Sequence, residues 1–354
     1  MKPIDSVLAL VRPEILALTP YSSARKESSG GRVWLDANEN PLTPHAGAPR
    51  LNRYPDPQPP ELIARLASLY GVVPDRVLVT RGSDEGIDLL LRAFCRAGQD
   101  SIVITPPTYG MYAVAAGIQG AAVRSAPLER DQDFALDVGA VLAAVDASVK
   151  LVFLCSPNNP TGQLLACDSV RHVVDALAGR AIVVIDEAYG EFASEPSFAG
   201  ELAERPNLVV LRTLSKAFGL AGARVGATLA TPELIAVLKK IIAPYPIPTP
   251  VANAALEALA PHAIAAARRS ALGLVEQRRR LAAGLAELPA VRRVWPSDAN
   301  FLLVEVTDSA RVMSVARAAG LILRDRSKDV PNTVRITVGS PEETAFALET
   351  LARA

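Results

Sequence analysis

Short apolar runs recur along the first two-thirds of the chain, at 77–80, 101–105, 121–125, 151–155, 181–185 and 208–211. Most are apolar at nearly every position instead of at alternate ones, which predicts strands buried on both faces. Between them, stretches such as 61–70 and the segment reaching Arg96 space their apolar residues three and four apart, which predicts helices. Strands alternating with helices predict an α/β fold, a mainly parallel mixed sheet sandwiched by helices. In such a sheet, chemistry gathers beyond the carboxyl ends of the strands. The residues after each run therefore matter most: Ser83, Tyr109, Asn159, Asp186 and Lys216.

The pattern changes near residue 243, where APYPIPTPV interrupts it with prolines. Beyond lie a long Ala/Arg-rich helix at 261–288, strands at 301–306, 321–324 and 334–338, and two further helices. This predicts a second, smaller α+β domain. The opening residues are too rich in proline and polar side chains to form a unit of their own. The expected division is an N-terminal arm, 1–45, packing on the small domain and the active site, then a large domain, 46–243, and a small one, 244–354.

Composition narrows the function. In 354 residues, 37 basic and 37 acidic side chains cancel, so no nucleic-acid or anionic-membrane surface is expected. No apolar run approaches the roughly 20 residues of a membrane span, and MKPIDSVLALVRPE carries acids and prolines unlike a secretory signal, so a cytoplasmic location is expected. Three cysteines without CxxC spacing and three scattered histidines imply neither a metal site nor a disulfide framework. Acid–base chemistry must then use a group other than histidine.

Only seven residues are lysine, and Lys216 alone sits in a run that reads as interior. It lies between a strand end and the small-residue loop FGLAG, closed by Arg224, where an amine would be desolvated and positioned for a Schiff base. A lysine snorkelling from the loop to water is the competing reading. At 77–86 a strand, the turn Arg81-Gly82-Ser83-Asp84 and a helix would aim backbone N–H groups at an anion, or Ser83 or Asp84 would simply cap the helix. Asp186 closes the strand IVVID, and a buried carboxylate there suits a pyridine nitrogen that must stay protonated. Arg324 and Arg335 each sit at a strand and could clamp an anion. Together these features are what pyridoxal phosphate requires.

The motifs NRYPD, RGSDEGID, PPTYGMY, SPNNPTG, VIDEAY, TLSKAFGLAGAR and VRITVG, in this order, resemble those of fold-type I, aspartate-aminotransferase-like pyridoxal-phosphate enzymes over nearly the whole chain. LTPYSSAR and LILRDRS add a likeness to the histidinol-phosphate aminotransferase group. The resemblance implies Lys216 as Schiff-base lysine and proton shuttle, Asp186 on the pyridine nitrogen, Tyr189 and Asn159 on the ring oxygen, and Tyr109 against the ring face. It implies Gly82, Ser83, Asp84, Thr213 or Ser215, and Arg224 around the phosphate, with Tyr54 reaching it from the partner of a homodimer. Tyr21, Asn38, Arg324 and Arg335 would bind substrate, either histidinol phosphate or glutamate and 2-oxoglutarate. An aromatic or prephenate aminotransferase, a threonine-phosphate decarboxylase and a regulator's sensor domain, which would need a basic DNA-binding extension, are the alternatives on this scaffold.

Overall fold

The computed structural model describes residues 3–21, 33–43 and 51–354. Lys2, Lys26, His45, the SSAR of LTPYSSAR and the 45/46 boundary lie outside the described residues.

Strands β1 (Val77–Thr80), β2 (Ser101–Ile104), β3 (Ala122–Ser125), β4 (Val149–Cys155), β5 (Ile182–Asp186), β6 (Leu208–Thr213) and β7 (Gly226–Leu229) form one sheet, ordered β1-β7-β6-β5-β4-β2-β3. From β6 to β3 all neighbours are parallel, whereas β7 runs antiparallel to both β6 and β1. The apolar pattern did not signal β7. Its residues, GATL, are short and mostly small, and only pairing with strands on both sides makes them a strand.

Every residue of β5 and β6 is buried. Successive side chains enter opposite helix layers, as the two-residue repeat of a strand demands. Ile182, Val184 and Leu211 meet the layer formed by the helices Gly82–Phe94, Met111–Gln119 and Pro232–Ile241. Val183, Ile185 and Val210 meet the layer holding the helices Pro60–Tyr70, Cys167–Ala176 and Thr249–Ala258. Each such side chain contributes roughly 1.5–3 kcal/mol by leaving water. The same alternation continues past the strand ends. Asp186 and Thr213 thus fall toward one layer, and Glu187 and Arg212 toward the other.

A second sheet, β8 (Val291–Val294), β9 (Phe301–Val306), β10 (Arg324–Asp325) and β11 (Thr333–Thr337), is antiparallel throughout, in the order β10-β11-β9-β8. The expected strand at 321–324 is thus confined to two residues. Leu321 and Leu323 instead pack from a loop onto the core under the long helix Pro261–Ala286. On β11, Val334 and Ile336 enter that core, which turns Arg335 to the opposite face.

The described residues 3–16 of the arm pack on the large domain rather than on this smaller sheet. Val7 and Val11 are buried with Leu234 and Leu238 of the helix Pro232–Ile241, and Arg12 bonds the carbonyls of Arg92 and Ala93. Burial of those two valines carries the segment onto the large sheet's helix layer instead. Among the described residues no helix is long and apolar enough to cross a membrane, and no cluster of His, Cys, Asp and Glu is placed to hold a metal.

Candidate active site

A cleft of about 670 Å³ opens where the carboxyl ends of β4, β5 and β6 face β10 and β11. Ser83, Asp84, Tyr109, Asn159, Asp186, Tyr189, Thr213, Ser215, Lys216, Arg224, Arg324 and Arg335 all line it. Gly82 lies directly beneath. Three expected residues are elsewhere in this chain. Tyr21 lines a separate pocket with Gln58, Lys240 and Pro244, Asn38 is exposed, and Tyr54 stacks on Tyr245 with ring centroids 4.5 Å apart. The route of the arm over the helix Pro232–Ile241 accounts for Tyr21, because Lys240 of that helix bonds the Leu16 carbonyl.

One end of the cleft is built for an oxyanion. The helix Gly82–Phe94 begins there without any side-chain cap, so its first N–H groups point into the cleft's end unclaimed by capping side chains. Capping by Ser83 or Asp84, the competing expectation, does not occur. Gly82 has φ of +74°, and a Cβ on it would come within 2.6 Å of the Arg224 guanidinium. Gly226 is as constrained, since a Cβ there would sit 2.8 Å from the Ser83 nitrogen. Two glycines therefore let β7 close against the helix start. Arg224 Nη1 donates to Ser215 Oγ at 3.1 Å and Nη2 to Asp84 Oδ2 at 3.1 Å, while Thr213 Oγ1 donates to Ser215 Oγ at 2.9 Å. The Asp84 carboxylate also accepts from the Tyr109 hydroxyl at 2.9 Å. Asp84 thus offers an anion its backbone N–H, and its side chain aims Arg224 and Tyr109.

At the other end Asp186 is 2% exposed. Tyr112 donates to its Oδ2 at 2.8 Å and the Ala188 N–H to its Oδ1 at 3.1 Å. Burial pushes its carboxyl up to about 6, although both donors oppose the shift. Lys216 is not interior as its sequence context suggested. It is accessible through the cleft because β6 ends at Thr213 and the chain turns outward after the buried Leu214. The walls of the cleft still desolvate its amine, and with the nearby Arg335 charge they lower its pKa. Its Nζ lies 5.6 Å from the centre of the Tyr189 ring. Arg335 donates to Asn159 Oδ1, and Asn159 Nδ2 approaches the Tyr189 hydroxyl at 3.4 Å, which joins the two sheets across the cleft.

Sequence reasoning missed Arg326, which lines the cleft beside Arg324 and pairs with Asp329 at 2.8 Å. The quoted LILRDRS contained it, and its one-residue separation from Arg324 was the available signal. It also missed Tyr112, which stands in the quoted PPTYGMY and falls in the first turn of the helix Met111–Gln119.

These groups fit pyridoxal phosphate. Asp186 is a buried carboxylate that pairs with no lysine or arginine among the described residues, suited to a protonated ring nitrogen, and the uncapped helix end with Arg224 suits a phosphate. The model of the family described as aminotransferase class I and II matches residues 28–351. The chain belongs to that family. Its fold, an α/β sheet of fold-type I, is the one expected. A histidinol-phosphate aminotransferase of Stenotrophomonas maltophilia is 48% identical to this class I and II aminotransferase over 353 residues, 98% of this chain and 97% of its own. One from Aeromonas hydrophila is 48% identical over 354 residues, 98% of each chain. The solved structure of histidinol-phosphate aminotransferase from Sinorhizobium meliloti, in complex with pyridoxal-5'-phosphate, is 26% identical with a TM-score of 0.75, covering 85% of this chain and 82% of that one.

The acidity of Asp186 gives a test of the cofactor assignment. As pH falls through about 6 the carboxyl gains a proton and loses the charge that would pair with the ring nitrogen. Pyridoxal-phosphate affinity of the cofactor-free protein is expected to weaken below that pH, by up to about tenfold per unit. Absorbance titrations at several pH values measure it. Asp186→Asn should remove this component and leave only that of the cofactor's own phosphate; an unchanged profile would show that Asp186 is not the titrating group.

Proposed function

We propose that the enzyme transfers the amino group of histidinol phosphate to 2-oxoglutarate, forming imidazole-acetol phosphate and glutamate, a step of histidine biosynthesis. The relatives that share nearly half of its residues over almost the full chain carry this reading. The cleft supports it, because Arg324, Arg326 and Arg335 line the wall beyond Lys216, where a phosphate ester or a carboxylate would be drawn.

When bound, pyridoxal phosphate supplies an electrophilic carbonyl and an electron-accepting ring that holds the amino group between two half-reactions. The residues divide the remaining work. Lys216, whose pKa burial and the nearby Arg335 lower, would take the proton from the substrate's α-carbon and deliver it to the cofactor's carbonyl carbon. Asp186 would hold the ring nitrogen, Tyr189 and Asn159 the ring oxygen, and Tyr109 would pack against the ring. The N–H groups of Ser83 and Asp84, the hydroxyls of Ser215 and Thr213, and Arg224 hold the phosphate. Arg335 donates to Asn159 Oδ1, so a substrate anion drawn to Arg335 would bear on the residue assigned to the ring oxygen.

The same reading includes a homodimer in the cytoplasm, with Tyr54, half exposed on this chain, presented to the phosphate of a second copy. Tyr21 and Asn38 would complete the substrate site only in that assembly. The large and small domains meet near residue 243, and the cleft lies between their sheets.

Arg324→Ala decides the substrate class. It should raise KM for histidinol phosphate by about tenfold or more while changing phenylalanine turnover little, because only the phosphate ester needs a second guanidinium there. Equal losses for both would favour an aromatic aminotransferase, and CO₂ release from phosphothreonine would favour the decarboxylase.

A further inference from the structure

The face of the sheet toward which Asp186 points is covered by the helix Met111–Gln119. Its Tyr112 is fully buried and stacks on Phe153 of β4, with ring centroids 4.8 Å apart and 15° between the planes. The ring meets Tyr109 edge-on at 5.6 Å. Thus buried, Tyr112 does not line the cleft. The ring lies in the apolar cluster that includes Leu151, Phe153, Ile182 and Val184, where a phenylalanine ring could stack on Phe153 in the same way. The hydroxyl nevertheless sits 2.8 Å from Asp186 Oδ2. A buried phenol that donates to a buried carboxylate orients it strongly, because neither group has water to turn toward.

Other groups around Asp186 work against its charge. Asp84 from the helix start and Glu187 from the next position disfavour it, while Lys216 lies across the cleft. Cys155, its register partner on β4, is a buried thiol whose Sγ donates to the Pro157 carbonyl at 3.4 Å. Among the described residues, only Tyr112 and the Ala188 N–H donate to the carboxylate.

We propose that Tyr112 is a positioning residue of the reaction, whose O–H pins Asp186 Oδ2 so that the carboxylate meets the cofactor's ring nitrogen in one orientation and as an anion. This rests on Asp186 being the partner of that nitrogen. Tyr109 and Asp84 then extend the arrangement to Arg224, so both ends of the cofactor are set by one connected group of side chains.

Tyr112→Phe removes the single hydroxyl and keeps the stacked ring. The cofactor-free variant is expected to melt within a few degrees of the parent, to bind pyridoxal phosphate about tenfold more weakly, and to shift the pH midpoint of binding upward. With cofactor saturating, kcat should fall and KM change little. On an Asp186→Asn background, which itself weakens cofactor binding, the same change should add nothing. Should Tyr112→Phe fail to fold, a ring-fluorinated tyrosine at position 112, a stronger donor of nearly the same shape, should move the pH midpoint downward. Unchanged cofactor affinity and pH midpoint in Tyr112→Phe, an unmoved midpoint with the fluorinated residue, or additivity with Asp186→Asn would overturn the role of Tyr112. Unchanged cofactor binding in Asp186→Asn alone would instead overturn the role of Asp186, and this proposal with it.

Discussion

Lys216→Ala is expected to lose turnover by about four orders of magnitude or more while still binding pyridoxal phosphate. The phosphate end of the cleft does not depend on Lys216. Arg224, Ser215 and the helix start at Gly82 are held by one another, with Arg224 bonded to both Ser215 and Asp84. The amine, by contrast, has no substitute base close by among the described residues. His172 and His262 lie outside the cleft lining, and the cleft's tyrosines are pushed to higher pKa by burial, so neither can act as the base. The loop itself should survive the change. Leu214 is fully buried, its N–H bonds the Val225 carbonyl at 3.0 Å, and the Leu220 N–H bonds the Leu214 carbonyl at 3.1 Å, which closes the loop around position 216 without its side chain. Absorbance spectra and steady-state rates check both halves. The variant should show free rather than lysine-bound cofactor, and retained turnover would remove Lys216 from the mechanism.

Much of this site was legible because strand ends in a parallel sheet are fixed points. The runs 181–185 and 208–211 are apolar enough to locate β5 and β6, and in the structure the side-chain alternation places Asp186 and Thr213 toward the same layer. The loops after those strands had nowhere to go but the cleft. What stayed hidden depends on non-local pairing. Strand β7 carries little apolar signal, yet it returns Arg224 beside Ser215. Arg326 faces the cleft only because β10 pairs with β11 over two residues before the chain turns away. Tyr21 could be placed as a residue of an arm, but the sequence did not say that Val7 and Val11 would bury against the helix Pro232–Ile241 and set that arm's course.

Arg212→Met should destabilise the protein by about 3–5 kcal/mol, the usual cost of leaving one partner of a buried ion pair unmatched. Arg212 is the residue before Thr213 and therefore faces the layer opposite the cleft. Its side chain is 6% exposed and Glu187's is 5% exposed, with Nη1 and Oε2 at 2.6 Å. Glu191 binds the other guanidinium nitrogen, and the Tyr70 ring lies 4.9 Å from the charge. Burial works against that charge, but Glu191 and Glu187 more than offset it and raise the Arg212 pKa. The packing admits no alternative near it, since a Cβ on Gly190 would overlap Nη1 at 2.2 Å. Once Arg212 is methionine, Glu187 keeps the Ser197 hydroxyl and the Phe198 N–H as donors but has lost its counter-charge. Glu187→Gln on the same background should then recover a large part of the loss, because it removes the stranded charge. Urea midpoints of the cofactor-free proteins measure both effects. A single variant within about 1 kcal/mol of the parent, the size of an exposed pair, would mean that the ion pair does not hold the ends of β5 and β6 together. The expected loss would mean that Arg212 and Glu187, on one face of the sheet, hold the ends of β5 and β6 together and so fix Asp186 and Thr213 on the other.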